Sequence, residues 1–114
     1  MTDEERLFCG QAIIQLRFDL QTIHLMLEGG GVIVAEGILE LNSPHGNVTI
    51  DVKSSGRDIN ALSALLEREV LNVIVERSCA TLEIEEDYFV RIVPSGRGGE
   101  AGLIRIGERV IVIA

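Results

Sequence analysis

The chain reads as one α+β domain built mostly of antiparallel β-strands, with a single helix at about 58–69. Three observations carry that reading. Short runs of Ile, Leu and Val alternate with polar residues at period two, and β-branched residues favour a pleated, half-buried surface. Clusters of Gly, Asn, Asp and Ser break these runs at hairpin spacing. One stretch alone changes period: Ile59, Leu62, Leu65 and Leu66 recur at helical spacing, with Ser55 or Asp58 as N-cap candidates. Its apolar residues form one stripe, so the helix should lie on a sheet. The 114 residues have room for one core, so 1–114 is expected to be a single domain. Hydrophobic residues make up 46% and aromatic ones 4%, so that core must be aliphatic.

The elements follow in order. Thr2 and Glu5 stand at capping-box spacing, which predicts a helical turn over residues 2–8 that Gly10 ends. Ile14, Leu16 and Phe18 alternate with Gln15 and Arg17 as a half-buried strand. Asp19-Leu20-Gln21 is a turn, after which Ile23, Leu25 and Leu27 point inward and His24 and Met26 outward. Gly29-Gly30-Gly31 turns the chain again. Val32 to Ala35 is apolar on both faces, as expected of a central or doubly covered strand. Glu36-Gly37 marks a bend, Ile38 to Leu41 continues extended, and residues 42–47 read as a loop. Val48, Ile50 and Val52 alternate in the next strand.

After the helix, Leu71, Val73 and Val75 alternate, then Leu82 and Ile84. Glu86-Asp87 is a turn, followed by a strand from Tyr88 to Val93. Residues 94–102 carry four glycines and read as a flexible loop. Leu103–Ile106 and Arg109–Ile113, joined at Gly107-Glu108, form a last hairpin. An end this apolar should be tied into a sheet.

The two halves align without a gap at an offset of 57 residues. That offset pairs Ile14 with Leu71, Leu16 with Val73, Phe18 with Val75, Leu25 with Leu82, Leu27 with Ile84, Glu28 with Glu85 and Ile33 with Val90. Duplication produces such a match, and so does the matched parity of any two amphipathic hairpins. Either way both halves can form a similar three-stranded meander, in a sheet or a partly open barrel.

Charge narrows the function classes. A formal charge of −8 opposes sequence-independent nucleic-acid binding and attachment to anionic membranes. It suits a soluble chain, or one that meets a basic partner. The acidic start, Met-Thr-Asp-Glu-Glu, is unlike a secretory signal, and the expected location is cytoplasmic. Cys9 and Cys79 fit that compartment as small apolar residues rather than a disulfide.

Motifs for chemistry are sparse. His24 and His45 lack the spacing of a zinc site, so no metal and no cofactor is expected. Gly96-Arg97-Gly98-Gly99 lacks the Lys-Ser/Thr and the strand–loop–helix setting of a phosphate loop. The serines stand in no nucleophile elbow. Glu83, Glu85, Glu86 and Asp87 form the densest acidic run, either a solvated strand face or an acidic docking patch.

The run Gly10-Gln-Ala-Ile-Ile-Gln-Leu-Arg-Phe-Asp19, then Ile23-His-Leu-Met-Leu27, Gly29-Gly30 and Val32-Ile-Val-Ala-Glu36-Gly37, resembles a family of small uncharacterised bacterial domains. The resemblance lies mainly over residues 10–37. It implies a cytoplasmic, non-enzymatic bacterial domain and brings no functional residues with it. The Gly-rich loop at 95–102 and the aliphatic last strand depart from that family's pattern.

The sequence thus points to a non-catalytic interaction module that binds a protein partner, as an immunity-type protein would, or itself, as a homodimer. The alternative is a small-molecule binder or minor enzyme with its pocket between sheet and helix. That alternative requires at least two of Arg17, His24, Tyr88 and Arg91 to converge in one cavity.

Overall fold

The computed structural model describes residues 9–54, 59–96 and 99–114. The helical turn expected over 2–8, the N-cap candidates Ser55 and Asp58, and Arg97 with Gly98 lie outside the described residues. Ten strands follow in order: β1 Ile13–Phe18, β2 Ile23–Leu27, β3 Val32–Ala35, β4 Ile38–Ser43, β5 Gly46–Asp51, β6 Val70–Glu76, β7 Cys79–Ile84, β8 Tyr88–Val93, β9 Gly102–Ile106 and β10 Arg109–Ile113. They form two five-stranded antiparallel sheets, with orders β1-β2-β3-β9-β10 (sheet I) and β5-β4-β8-β7-β6 (sheet II).

Alternation places Ile23, Leu25, Ile33 and Ile104 of sheet I against Leu39, Leu82, Val90 and Ile92 of sheet II. One aliphatic core fills the space between the sheets. Along one side the sheets are stitched together. Gly10 N donates to Val70 O at 2.7 Å and Glu67 N to Ile13 O at 2.7 Å, while Val70 N donates to Gln11 O at 2.9 Å and Ile13 N to Arg68 O at 3.0 Å. The sheets do not close into a barrel.

The 57-residue offset is visible in three dimensions. It carries β1-β2-β3 onto β6-β7-β8. Each of the four stitching bonds maps onto another of the four, and the isolated bridge pairs Ala12 with its own equivalent, Glu69. Gly10 (φ 81) corresponds to Glu67 (φ 70), and Gly30 (φ 90) to Asp87 (φ 65). Both meanders carry a bulge at the same place, between Ile13 and Gln15 and between Val70 and Asn72.

Glu28 and Glu85, identical at this offset, share one task. Each carboxylate accepts a backbone N–H, that of Ala12 for Glu28 and that of Glu69 for Glu85. Their own amides donate back to the same two residues' carbonyls at 3.0 Å.

The second hairpins obey the same relation but are exchanged. Hairpin β4–β5 of the first half completes sheet II, and hairpin β9–β10 of the second half completes sheet I. Ala35 pairs with Gly102, and its equivalent Ile92 pairs with Leu39. The offset between these hairpins is therefore 63 residues, because the 94–101 connection is longer than the Glu36-Gly37 bend.

Three expectations need correction. The α+β class fits only in part, since the described residues are mostly antiparallel strand with little helix. Of the helix expected over 58–69, the described residues 59–69 hold one short 3₁₀ segment, Asn60–Leu65. Ile59, Leu62 and Leu65 recur every third residue, which is the 3₁₀ period, and Leu62 and Leu65 are buried while Leu66 is exposed. Beyond Leu66 the stitching bonds to residues 11 and 13 draw the backbone of Glu67 and Val70 out of any helical ladder.

Next, Ile14 and Leu71 do not face the core with Leu16 and Val73. The bulges turn them out, leaving them 57% and 54% exposed, and Ile13 and Val70 take the inward places. Finally, the expected loop at 42–47 is mostly strand. β4 runs to Ser43 and β5 starts at Gly46, so Pro44-His45 alone makes the turn.

Candidate interaction surface

The four polar residues expected to line a pocket do not converge. Arg17 and His24 are cross-strand neighbours on the outer face of sheet I. Tyr88 points inward from β8, buried, with the Arg68 guanidinium 4.3 Å from its ring centre. Arg91 lies on the outer face of the same strand, exposed, 3.9 Å from the Cys79 sulfur. Arg17 and His24 thus stand together while Tyr88 and Arg91 stand apart, and neither of the two depressions beside the 3₁₀ segment is lined by two of the four.

The acidic run is dispersed as well. Glu85 is tied to the Glu69 amide, and Glu86 forms an ion pair with Arg68 at 2.9 Å. Glu86 and Asp87 occupy left-handed turn positions (φ 64 and 65). Only Glu83 stands on the strand face proper, paired across to Asn72 and Phe89. Glu85 thus serves the stitching of the fold, while Glu86 stays largely exposed in its pair with Arg68.

Two surface depressions border the 3₁₀ segment. One, of about 320 Å³, lies between it, the β4–β5 turn and Tyr88, with Ser43 and His45 at its rim. The other, of about 400 Å³, lies between it and β1 and is walled by Ile14, Leu16, Phe18 and Leu66. Ser43 Oγ is engaged with its own turn, donating to Gly46 O and accepting from His45 N. Among the described residues no group of three or more His, Cys, Asp and Glu could hold a metal, and no disulfide joins Cys9 to Cys79. None of the described helices is long and apolar enough to cross a membrane.

The outer faces of the two sheets differ most. Register places two outward rows across sheet I: Arg17–His24–Val34–Leu103–Val112 and Gln15–Met26–Val32–Arg105–Val110. Their structural equivalents on sheet II are Ile74–Thr81–Arg91–Glu40–Thr49 and Asn72–Glu83–Phe89–Asn42–Asn47. Thus Met26, Val34, Leu103, Val110 and Val112 stand where sheet II carries Glu83, Arg91, Glu40, Asn47 and Thr49. Val32 and Val34 are buried although they lie outside the central core. Val110 and Val112, on edge strand β10, remain 52% and 47% exposed. The fold accepts polar residues at the places of Leu103, Val110 and Val112, since sheet II carries Glu40, Asn47 and Thr49 there, while Ile74 and Phe89 keep part of that outer face apolar.

Charged groups stand at one end of the band, and Arg105 stands within it, between Val32 and Val110. His24 Nε2 lies 2.9 Å from Thr22 Oγ1 and 3.4 Å from Asp19 Oδ2, and Arg17 Nε lies 3.5 Å from the same carboxylate oxygen. Arg105 and Glu36 also act on His24, so two positive and two negative groups surround it. Family models, curated proteins and solved structures give no match to this chain. The geometry alone must therefore carry any reading of the surface.

Partial burial lowers the His24 pKa below 6.5, and the Asp19 carboxylate only partly offsets it. A depressed imidazole pKa means that the unfolded chain takes up a proton before the folded one does. Stability therefore falls as pH drops through 6.5, and the loss levels off below the folded-state value. His24→Gln removes this component. Urea midpoints measured between pH 7.5 and 5.5 should fall more steeply for the wild type than for His24→Gln. Parallel profiles would show that His24 titrates alike in both states.

Sequence periodicity marked Met26 and His24 as outward, but gave no way to see the band. Its members come from β2, β3, β9 and β10, which only the exchange of hairpins brings side by side.

Proposed function

We propose that the protein is a non-catalytic interaction module whose binding surface is the outer face of sheet I. The observation that supports it is the contrast between two equivalent faces of one chain. Where sheet II presents Glu40, Asn47 and Thr49, sheet I presents Leu103, Val110 and Val112. Apolar residues gathered on an outer face and left partly open to water mark a contact surface rather than a packing need. The dispersal of Arg17, His24, Tyr88 and Arg91 weighs against the small-molecule alternative.

The test is site-specific photo-cross-linking in cells producing the full chain. A photoreactive residue at position 112 should capture a protein, whereas one at the equivalent position 49 should not. Equal capture at both positions, or none at either, would overturn the assignment.

A further inference from the structure

The chemistry of the occupant can be narrowed, resting on the reading of the outer face of sheet I as the binding surface. We propose that this face receives an acidic side chain of a different protein, an Asp or Glu seated on Arg105 with aliphatic neighbours against Leu103, Val110 and Val112.

The observation that carries it is a cation without a counter-ion inside an apolar band. Arg105 is exposed on β9, between Val32 of β3 and Val110 of β10. Among the described residues the ion pairs are Arg17–Asp19, His24–Asp19 and Arg68–Glu86, and Arg105 takes part in none. The two outward rows hold Arg17, His24 and Arg105 and no carboxylate. Asp19 and Glu36 follow the last residues of β1 and β3, at the end where Ala35 pairs with Gly102, whereas Arg105 pairs with Val32 at the opposite end of β3. Sheet II is arranged otherwise. Arg91 there stands across from Glu40 in register, so that face carries both signs, and Asn42 occupies the place of Arg105.

A partner that covers the band takes the Arg105 guanidinium out of water, and a cation buried without a counter-ion is costly. The occupant must therefore bring the carboxylate that the face lacks, and the aliphatic surroundings strengthen the resulting pair by keeping water from it. A second copy of this chain does not bring one through an isologous contact, since the same rows would set Arg17 and Arg105 against Arg17 and Arg105. An anionic bilayer would present a continuous sheet of negative charge to a chain of −8, whereas a protein needs only one carboxylate at this spot. A small anionic ligand would need a cavity, and neither depression beside the 3₁₀ segment is lined by Arg105.

The experiment extends the cross-linking from position 112 of the full chain in cells. Arg105→Asn copies the residue that sheet II carries at that place, so it is compatible with the fold. It should lower capture at least about tenfold, and Arg105→Glu should abolish it, with far-UV spectra unchanged. Arg105→Lys keeps the charge and should capture more than Arg105→Asn. The captured peptide should contain an Asp or Glu beside aliphatic residues, and changing that acid to Arg should restore capture by Arg105→Glu. Capture that ignores Arg105, a captured peptide of this chain itself, or a contact site without an acid would each overturn the proposal while leaving sheet I as a binding surface. No capture from position 112 with Arg105 in place would sink both. The purified chain should not float with phosphatidylglycerol vesicles, and flotation that Arg105→Glu abolishes would assign the face to an anionic membrane instead.

Discussion

Gly102→Ala should lower the stability of the fold by about 3 kcal/mol or more, a fall in Tm beyond roughly 10 °C. The residue is buried in β9, where the strand passes beside β3. A Cβ at position 102 would lie inside van der Waals contact with the Val34 carbonyl oxygen, with Ala35 Cα at 3.3 Å. These are backbone atoms of a paired central strand, so no side-chain end can swing aside. The φ of Gly102 is not in the left-handed region, so the cost is steric and not conformational. Gly37→Ala should behave alike, since its Cβ would meet the Val93 carbonyl oxygen and Pro94 Cα. Gly30→Ala is the contrast. Its surroundings are open but its φ is 90, so it should cost only about 1 kcal/mol. Urea titration of the three variants measures the differences. A Gly102→Ala protein within 1 kcal/mol of the wild type would mean that β3 and β9 can separate without loss.

Leu25→Ala and Leu82→Ala should each cost about 3 kcal/mol, and the two costs should agree within about 1 kcal/mol. Both side chains are fully buried, on β2 and β7, at equivalent points of the two meanders. Truncation removes the transfer energy of the lost atoms and leaves a cavity that the surrounding strands can only partly close. If the halves are equivalent in packing as well as in pairing, the cavities should be alike. A loss at one site several times that at the other, read from urea midpoints at constant m, would confine the internal symmetry to the backbone.

The strands themselves were legible from residue patterns. Tyr88–Val93 and the β9–β10 hairpin occupy the expected positions, because alternation and the Gly107-Glu108 turn are local signals. The helix was misread because spacings of three and of 3.6 residues differ little over seven residues, and because the stitching to Gln11 and Ile13 is a tertiary effect. The inward assignment of Ile14 failed because a bulge adds a residue without a local mark. The likeness of the two meanders shows in the 57-residue offset. The repeat of the second hairpin stayed hidden behind its change to 63, which a gapless comparison cannot follow. As for the surface, each band residue was readable as apolar, but its neighbours were not, since strand order is decided by the exchange.

That exchange has a kinetic consequence. Neither half can complete a sheet with its own strands: β3 waits for β9, and β8 waits for β4. Pairings such as Ala12 with Glu69 and Ala35 with Gly102 close loops of half the chain or more before any packing compensates for the lost entropy. Folding should therefore be slow for a chain of this size and should run as one event, with no stage at which one half is native and the other is not. For the same reason, a nick in either exchanged hairpin should unravel both sheets together.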